Sequence, residues 1–196
     1  MRYKSFSTRD AVGGQFTFLG LLKGGENMRS EWMPKGEIVH ILAALSPENR
    51  LACEVSLATG LRIGDVLALK PQILLKKRFT IREQKTGKTR VVYLPANLRS
   101  RCFDIAGQHF IFEGRLDGRK ARTRQAVYKD LRRAARAFRC EKHISPHSLR
   151  KAYAVEEYAK CGDLKKVQKL LNHSSEAVTL LYAMAHIVNK RRKRKG

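Results

Sequence analysis

Six residues in this chain carry side chains suited to work on an anionic oxygen: Arg62, Lys85, His147, Arg150, His173 and Tyr182. Guanidinium and ammonium groups hold oxyanions. Imidazoles exchange protons near neutral pH, and a phenol becomes a nucleophile once a base or a positive field takes its proton. Taken one at a time, each also has an ordinary structural reading. Arg62 lies beside a helix stop, where it suits a carbonyl cap, and Lys85 lies in a hairpin turn, where lysine is common. His147 follows Pro146 at a helix start, and His173 falls in a link between two helices. Tyr182 shares a stripe with Val178, Leu181 and Ala185, so taken alone it reads as core.

Composition narrows the partner. The chain has 196 residues, enough for one well-buried domain. Its 41 Lys and Arg stand against 17 Asp and Glu, a net charge of +24. That self-repulsion is most easily tolerated against a polyanion, and nucleic acid is the first candidate because neutralised phosphates release counterions. A ribosomal or packaging protein would show the same balance, so charge sets only the partner class. Cys53, Cys102, Cys140 and Cys161 are far apart with no CxxC pair, which predicts reduced thiols and no zinc. The apolar run Phe16–Leu22 is too short for a membrane span. The expected setting is cytoplasmic and nucleoid-associated.

The elements that must position the six residues follow from hydrophobic period. Residues 1–33 are irregular and glycine-rich. Lys23-Gly24-Gly25-Glu26-Asn27 is encodable by a purine-rich stretch like a ribosome-binding site, which predicts translation from Met28 and a non-native leader before it. From Pro34 the pattern is regular. Ile38, Ile41, Leu42 and Leu45 make one apolar helix face. Ser46-Pro47 predicts an N-cap and first-turn proline for a second helix, stopped at Gly60. A short helix through Asp65–Leu69 ends before Pro71. Residues Ile73–Leu75, Phe79–Arg82 and Arg90–Leu94 read as three antiparallel strands, with Lys85–Lys88 as the turn between the last two. Helices return at Asn97–Ile105 and Thr123–Phe138, the latter with Val127, Leu131, Ala134 and Phe138 as its core stripe. Three further helices are expected near residues 147–160, 164–171 and 175–187, the last two capped by Asp163 and by Ser174 or Ser175. The expected fold is α+β and mainly helical: a domain over residues 34–187 with a small antiparallel sheet, then a basic tail over residues 188–196.

Together the candidate residues carry more than they do singly. The segments Ala58-Thr-Gly-Leu-Arg-Ile-Gly-Asp65, Gln84-Lys-Thr-Gly87, His147-Ser-Leu-Arg150, Leu171-Asn-His-Ser-Ser175 and Thr179-Leu-Leu-Tyr182 occur in that order. This resembles the tyrosine recombinase (phage integrase) family, over about residues 34 to 187. The resemblance implies that Tyr182 attacks a DNA phosphodiester to give a 3′-phosphotyrosine and a free 5′-hydroxyl. It implies that Arg62 and Arg150 clamp the non-bridging oxygens and that Lys85 protonates the departing 5′ oxygen from a β-hairpin. His147 would accept or position the tyrosine proton, and His173 would be a second phosphate donor. Asp65 matches an acidic position expected to orient arginine or brace its helix.

The phosphotyrosine keeps the energy of the phosphodiester, so rejoining needs no ATP. Two-metal nucleases need clustered carboxylates. Asp65 is the only carboxylate among these segments, which predicts chemistry without metal or cofactor. Lys88, Arg124, Lys129, Arg132, Arg133 and Arg136 are the candidate DNA-binding residues, four of them on one helix face. The expected partner is double-stranded DNA, bound as a homotetramer, with the free protein a monomer or weak oligomer.

Departures from the family pattern are Asn172, where glycine is frequent, and Lys151-Ala152 after the His-Ser-Leu-Arg tetrad. The 33 residues before Pro34 are too few for the separate core-binding domain of most members. The chain therefore resembles the short members, or a fragment of a disrupted integrase gene. Two alternatives stay open: a catalytically silent DNA-binding remnant or regulator, and a type IB topoisomerase-like relaxing enzyme. The charge makes its own prediction. Affinity for duplex DNA falls by about 10³-fold or more between roughly 50 and 200 mM salt. A flat response in fluorescence anisotropy would mean the excess charge serves another partner.

Overall fold

The computed structural model describes residues 30–171. The expected helix over 175–187, its caps, the tail, residues 1–29 of the leader, His173 and Tyr182 lie outside the described residues; in the rest of the leader Met33 is buried in the core.

Helix α1 spans Lys35–Ala43, and its face Ile38, Ile41 and Leu42, continued by Leu45, is buried as the spacing predicts. Helix α2, Pro47–Thr59, is the hub of the domain and touches α1, α3, α4, α5 and α6. It can do so because Leu51, Ala52, Cys53, Val55, Ser56 and Leu57 put apolar or small groups on several sides. Ser46 stands at its N-cap position, yet the hydroxyl makes no cap bond. The Ser46 N–H instead donates to Asp130 Oδ2 at 2.9 Å, which ties the start of α2 to α5.

Gly60 ends α2 in the left-handed conformation at φ 67°. Glycine is required there twice over. The positive φ disfavours any side chain, and a Cβ would overlap the Tyr153 ring. Leu61 is fully buried, and α3 then runs Ile63–Leu67, starting earlier than its sequence pattern suggests.

The sheet among the described residues has two strands, not three. Ile73–Leu75 lies in a 3₁₀ turn over Pro71–Leu75. Proline presets a helical φ at the first position, and the Ile73 N–H to Lys70 carbonyl bond closes a three-residue turn that buries Leu74. Strands β1, Arg78–Arg82, and β2, Thr89–Tyr93, pair antiparallel with Phe79 opposite Val92 and Ile81 opposite Arg90.

Helix α4 spans Ala96–Ile105, and α5 spans Arg124–Ala137 behind a Thr123 cap. Val127, Leu131 and Ala134 are buried on α5, but Phe138 is 53% exposed and does not join the core stripe. It stands at the C-cap, where the helix has ended and the chain turns through Arg139 at φ 50°. Helix α6, Pro146–Cys161, begins with a reciprocal capping box between Ser145 and Ser148. Helix α7, Leu164–Leu170, is capped by Asp163 as expected. All four cysteines are free thiols. No helix among the described residues is long and apolar enough to cross a membrane.

The turn at Gly60 yields a stability prediction. Gly60→Ala should lose about 2 kcal/mol or more from strain and overlap. Urea unfolding reads this as a lower midpoint at unchanged slope; an unchanged midpoint would show that the turn relaxes freely.

Candidate active site

The site is built where the end of α2 turns into α3. Within that turn Ser56 Oγ donates to the Leu61 carbonyl at 2.8 Å, and Thr59 Oγ1 donates to the Val55 carbonyl at 2.7 Å. The backbone around Arg62 is thereby fixed from within α2. Arg62 occupies the N-cap position of α3, with its side chain 15% exposed. Its Nη1 donates to Glu83 Oε2 at 2.5 Å. Glu83 is fully buried and also accepts from Thr86 Oγ1 at 3.1 Å.

The hairpin between β1 and β2 carries Lys85 toward this turn. The Glu83 N–H donates to the Lys88 carbonyl and the Gly87 N–H to the Glu83 carbonyl, closing the turn, with Gly87 at φ 66°. Lys85 and Lys88 are exposed on it. Asp65, in the first turn of α3, accepts from the Gln84 N–H at 2.9 Å, so the base of the hairpin is tied to the helix that follows Arg62. Burial holds the Asp65 carboxyl above its ordinary pKa, aided by the Glu83 charge. The Gln84 N–H and the charges of Arg62 and Arg150 pull the other way.

Arg150 enters from α6 and is 4% exposed. Its Nη1 donates to the Gly60 carbonyl and its Nη2 to the Leu171 carbonyl at 2.7 Å. The Nε is buried and has no hydrogen-bond partner among the described residues. Burial first, then the Arg62 charge, push its pKa down to about 10, so it stays cationic at neutral pH. His147 lies in the first turn of the same helix and is exposed. Arg62, Asp65, Lys85, His147 and Arg150 thus come from three carriers: the α2–α3 turn, the hairpin and the start of α6. Leu171 brings the chain to this place two residues before His173.

The phage integrase family matches residues 31–187. This chain belongs to that family.

Its relatives include the probable integrase/recombinase YoeC of Bacillus subtilis, 31% identical over 129 residues that cover 63% of this chain and 70% of YoeC. The tyrosine recombinase XerC of Xanthomonas campestris is 33% identical over 147 residues, 71% of this chain and 45% of XerC. Among solved structures, a lambda integrase dimer bound to a COC′ core site aligns with TM-score 0.65 at 22% identity, over 80% of this chain and 49% of that one. A lambda integrase tetramer bound to a Holliday junction aligns with TM-score 0.64 at 22% identity, over 80% and 49%. At these identities the structural likeness establishes the fold. The chain spans about half the length of XerC and of lambda integrase.

Within this integrase-family site the proposed DNA contacts divide. Arg124 opens α5 beside the site, its Cδ only 3.2 Å from where a Gly64 Cβ would stand. Lys129 and Arg136 are exposed, and Arg132 is half-buried. Arg133 is already engaged: its Nη2 donates to Asp130 Oδ1 at 2.6 Å and to the Ala44 carbonyl at 2.7 Å.

Two residues of the cluster were not singled out by their motifs. Glu83 continues the inward face of β1 after Phe79 and Ile81, and Arg90 shares the inward face of β2 with Val92. A charged residue at an inward position of an alternating strand was the available signal.

Asp65 supports a pH test. A carboxyl with a raised folded pKa binds protons in the folded state that the unfolded state has released, so its contribution to stability is lost as pH rises through that pKa. Asp65→Asn keeps an acceptor for the Gln84 N–H and removes the buried charge. Its stability relative to the unaltered protein should therefore increase from about pH 4 to about pH 7. A constant difference across that range in urea melts would mean Asp65 titrates normally.

Proposed function

We propose that this chain cuts and rejoins DNA at specific sites through a covalent bond to Tyr182. The observation that carries the reading is the meeting of Arg62 and Arg150 beside the hairpin that bears Lys85. Two guanidiniums held in place, one buried and one nearly so, are suited to the two non-bridging oxygens of one phosphate, because they fix positive charge in a water-poor place.

In the proposed reaction the Tyr182 oxygen attacks phosphorus and its proton passes to His147. The bond from phosphorus to the 5′ oxygen breaks, and Lys85 gives that oxygen a proton. Arg62, Arg150 and His173 neutralise charge on the phosphorane-like transition state. Reversal by a 5′-hydroxyl from another strand completes exchange, with no net change in phosphoester bonds and no ATP. Arginines supply the electrostatic work that a metal ion supplies in carboxylate-rich nucleases. Asp65 orients the Arg62 helix against the hairpin.

Double-stranded DNA is the partner, with Lys88, Arg124, Lys129, Arg132 and Arg136 on phosphates. Assembly on DNA as a homotetramer is supported by the lambda integrase tetramer on a Holliday junction. Residues 34–187 form the catalytic unit in this reading, with the leader before them and the basic tail behind.

A suicide substrate, nicked so that the 5′ fragment diffuses away, tests this directly. The protein should form a covalent adduct with DNA carrying its attachment sequence, and Tyr182→Phe should form none. Arg150→Lys cannot present a planar fork, and it should slow adduct formation by about 10²-fold, or ~3 kcal/mol. No adduct from the unaltered protein would favour the silent DNA-binding remnant. Relaxation of supercoils without two-site recombination would favour the topoisomerase-like reading.

A further inference from the structure

Arg90 has no place in the proposed chemistry, yet it is among the most constrained side chains of the site. It sits on β2, only 10% exposed at its side chain, with its guanidinium inside the domain. Its Nη2 donates to the Thr59 carbonyl at 2.5 Å, and its Nη1 donates to the Leu170 carbonyl at 2.5 Å. Glu83 Oε1 lies 3.7 Å away as countercharge. Arg150 does the same thing one residue along, from Gly60 to Leu171. Two guanidiniums therefore join two consecutive carbonyls at the end of α2 to two consecutive carbonyls at the end of α7.

This arrangement answers a physical problem. The last carbonyls of a helix lack intrahelical partners and carry partial negative charge. Bringing two such ends together is unfavourable unless cations with several donors stand between them. Lysine has the charge but presents no rigid fork for two separated carbonyls. The end of α2 leads directly into Arg62, and the end of α7 leads within three residues to His173. Arg90 also lies on the strand that returns from Lys85. One side chain on the returning strand of the hairpin thus touches both the helix end that leads to Arg62 and the one that leads to His173.

We infer that Arg90 is a positioning residue: by joining the Thr59 and Leu170 carbonyls it sets the segment that leads to His173 against the turn that carries Arg62. Arg150 is then not left to hold the two helix ends alone. This rests on the strand-transfer reading above for its consequence, though not for its geometry.

The test uses the full chain and two variants, Arg90→Gln and Arg90→Lys. Amide hydrogen exchange should quicken in peptides covering residues 59–62 and 164–171, while α1 and α5 keep their protection. In single-turnover cleavage of the suicide substrate the rate constant should fall by about 10²-fold, the scale of an ångström-sized misplacement, with full final amplitude and unchanged DNA affinity. A purely structural loss would lower amplitude instead. Combining Arg90→Lys with His173→Ala should cost less than the product of the separate effects, because one acts through the other.

Unchanged exchange at both segments overturns the inference, as does a uniform rise throughout the Arg90→Lys protein. Local loosening with an unchanged cleavage rate constant also overturns it. No adduct from the unaltered protein sinks the strand-transfer reading by itself, and the exchange arm still decides whether Arg90 joins the two helix ends.

Discussion

Guanidinium groups that must converge on one anion repel each other before the anion arrives. Arg62, Arg90 and Arg150 stand together in this domain, and each is largely or wholly removed from water. Charges buried in this way persist only with close partners, since desolvation otherwise outweighs their mutual attractions. The fold supplies two kinds of partner. Glu83 sits between Arg62 and Arg90, with Asp65 nearby, while backbone carbonyls at the ends of α2 and α7 take the N–H groups of Arg90 and Arg150. Among the described residues these two carboxylates do not match the three guanidiniums in number, which leaves the cluster electropositive.

That electrostatic arrangement explains local features that are otherwise unrelated. Gly60 allows α2 to stop abruptly enough for its last carbonyls to face the arginines, and the missing Cβ makes room for Tyr153. The Ser145–Ser148 box starts α6 so that Arg150 follows after about one turn, on the inward side. Asp65 takes the Gln84 N–H, which links the hairpin to α3 at its base and leaves the exposed Lys85 at the turn. The arginines are thus held from several elements, while the hairpin is tied to α3 at its root.

Much of the site was legible because its motifs are local. Gly60 as a helix stop, Asp163 as a cap and the apolar face of α1 follow from rules that act over a few residues. The misreadings arose where distant contacts won. Ile73–Leu75 has the composition of a strand, but Pro71 begins a 3₁₀ turn and the two-stranded hairpin closes without it. Phe138 keeps helical spacing with Leu131 and Ala134, but the helix ends one residue earlier. Ser46 stands at the N-cap as expected, but its hydroxyl makes no cap bond, and its backbone N–H reaches Asp130 of α5.

The amino-acid order alone determined the family, the helix and turn boundaries to within a few residues, and the excess of positive charge, because these depend on residue type and short spacing. Only the tertiary structure decided which charges are compensated. Arg90 finds its partners as far apart as Thr59 and Leu170, and Glu83 takes Arg62 from across the α2–α3 turn, and no local pattern specifies such contacts. A hydrogen bond between helix ends forms only once packing has brought those ends together, so chain folding rather than sequence spacing assigns it.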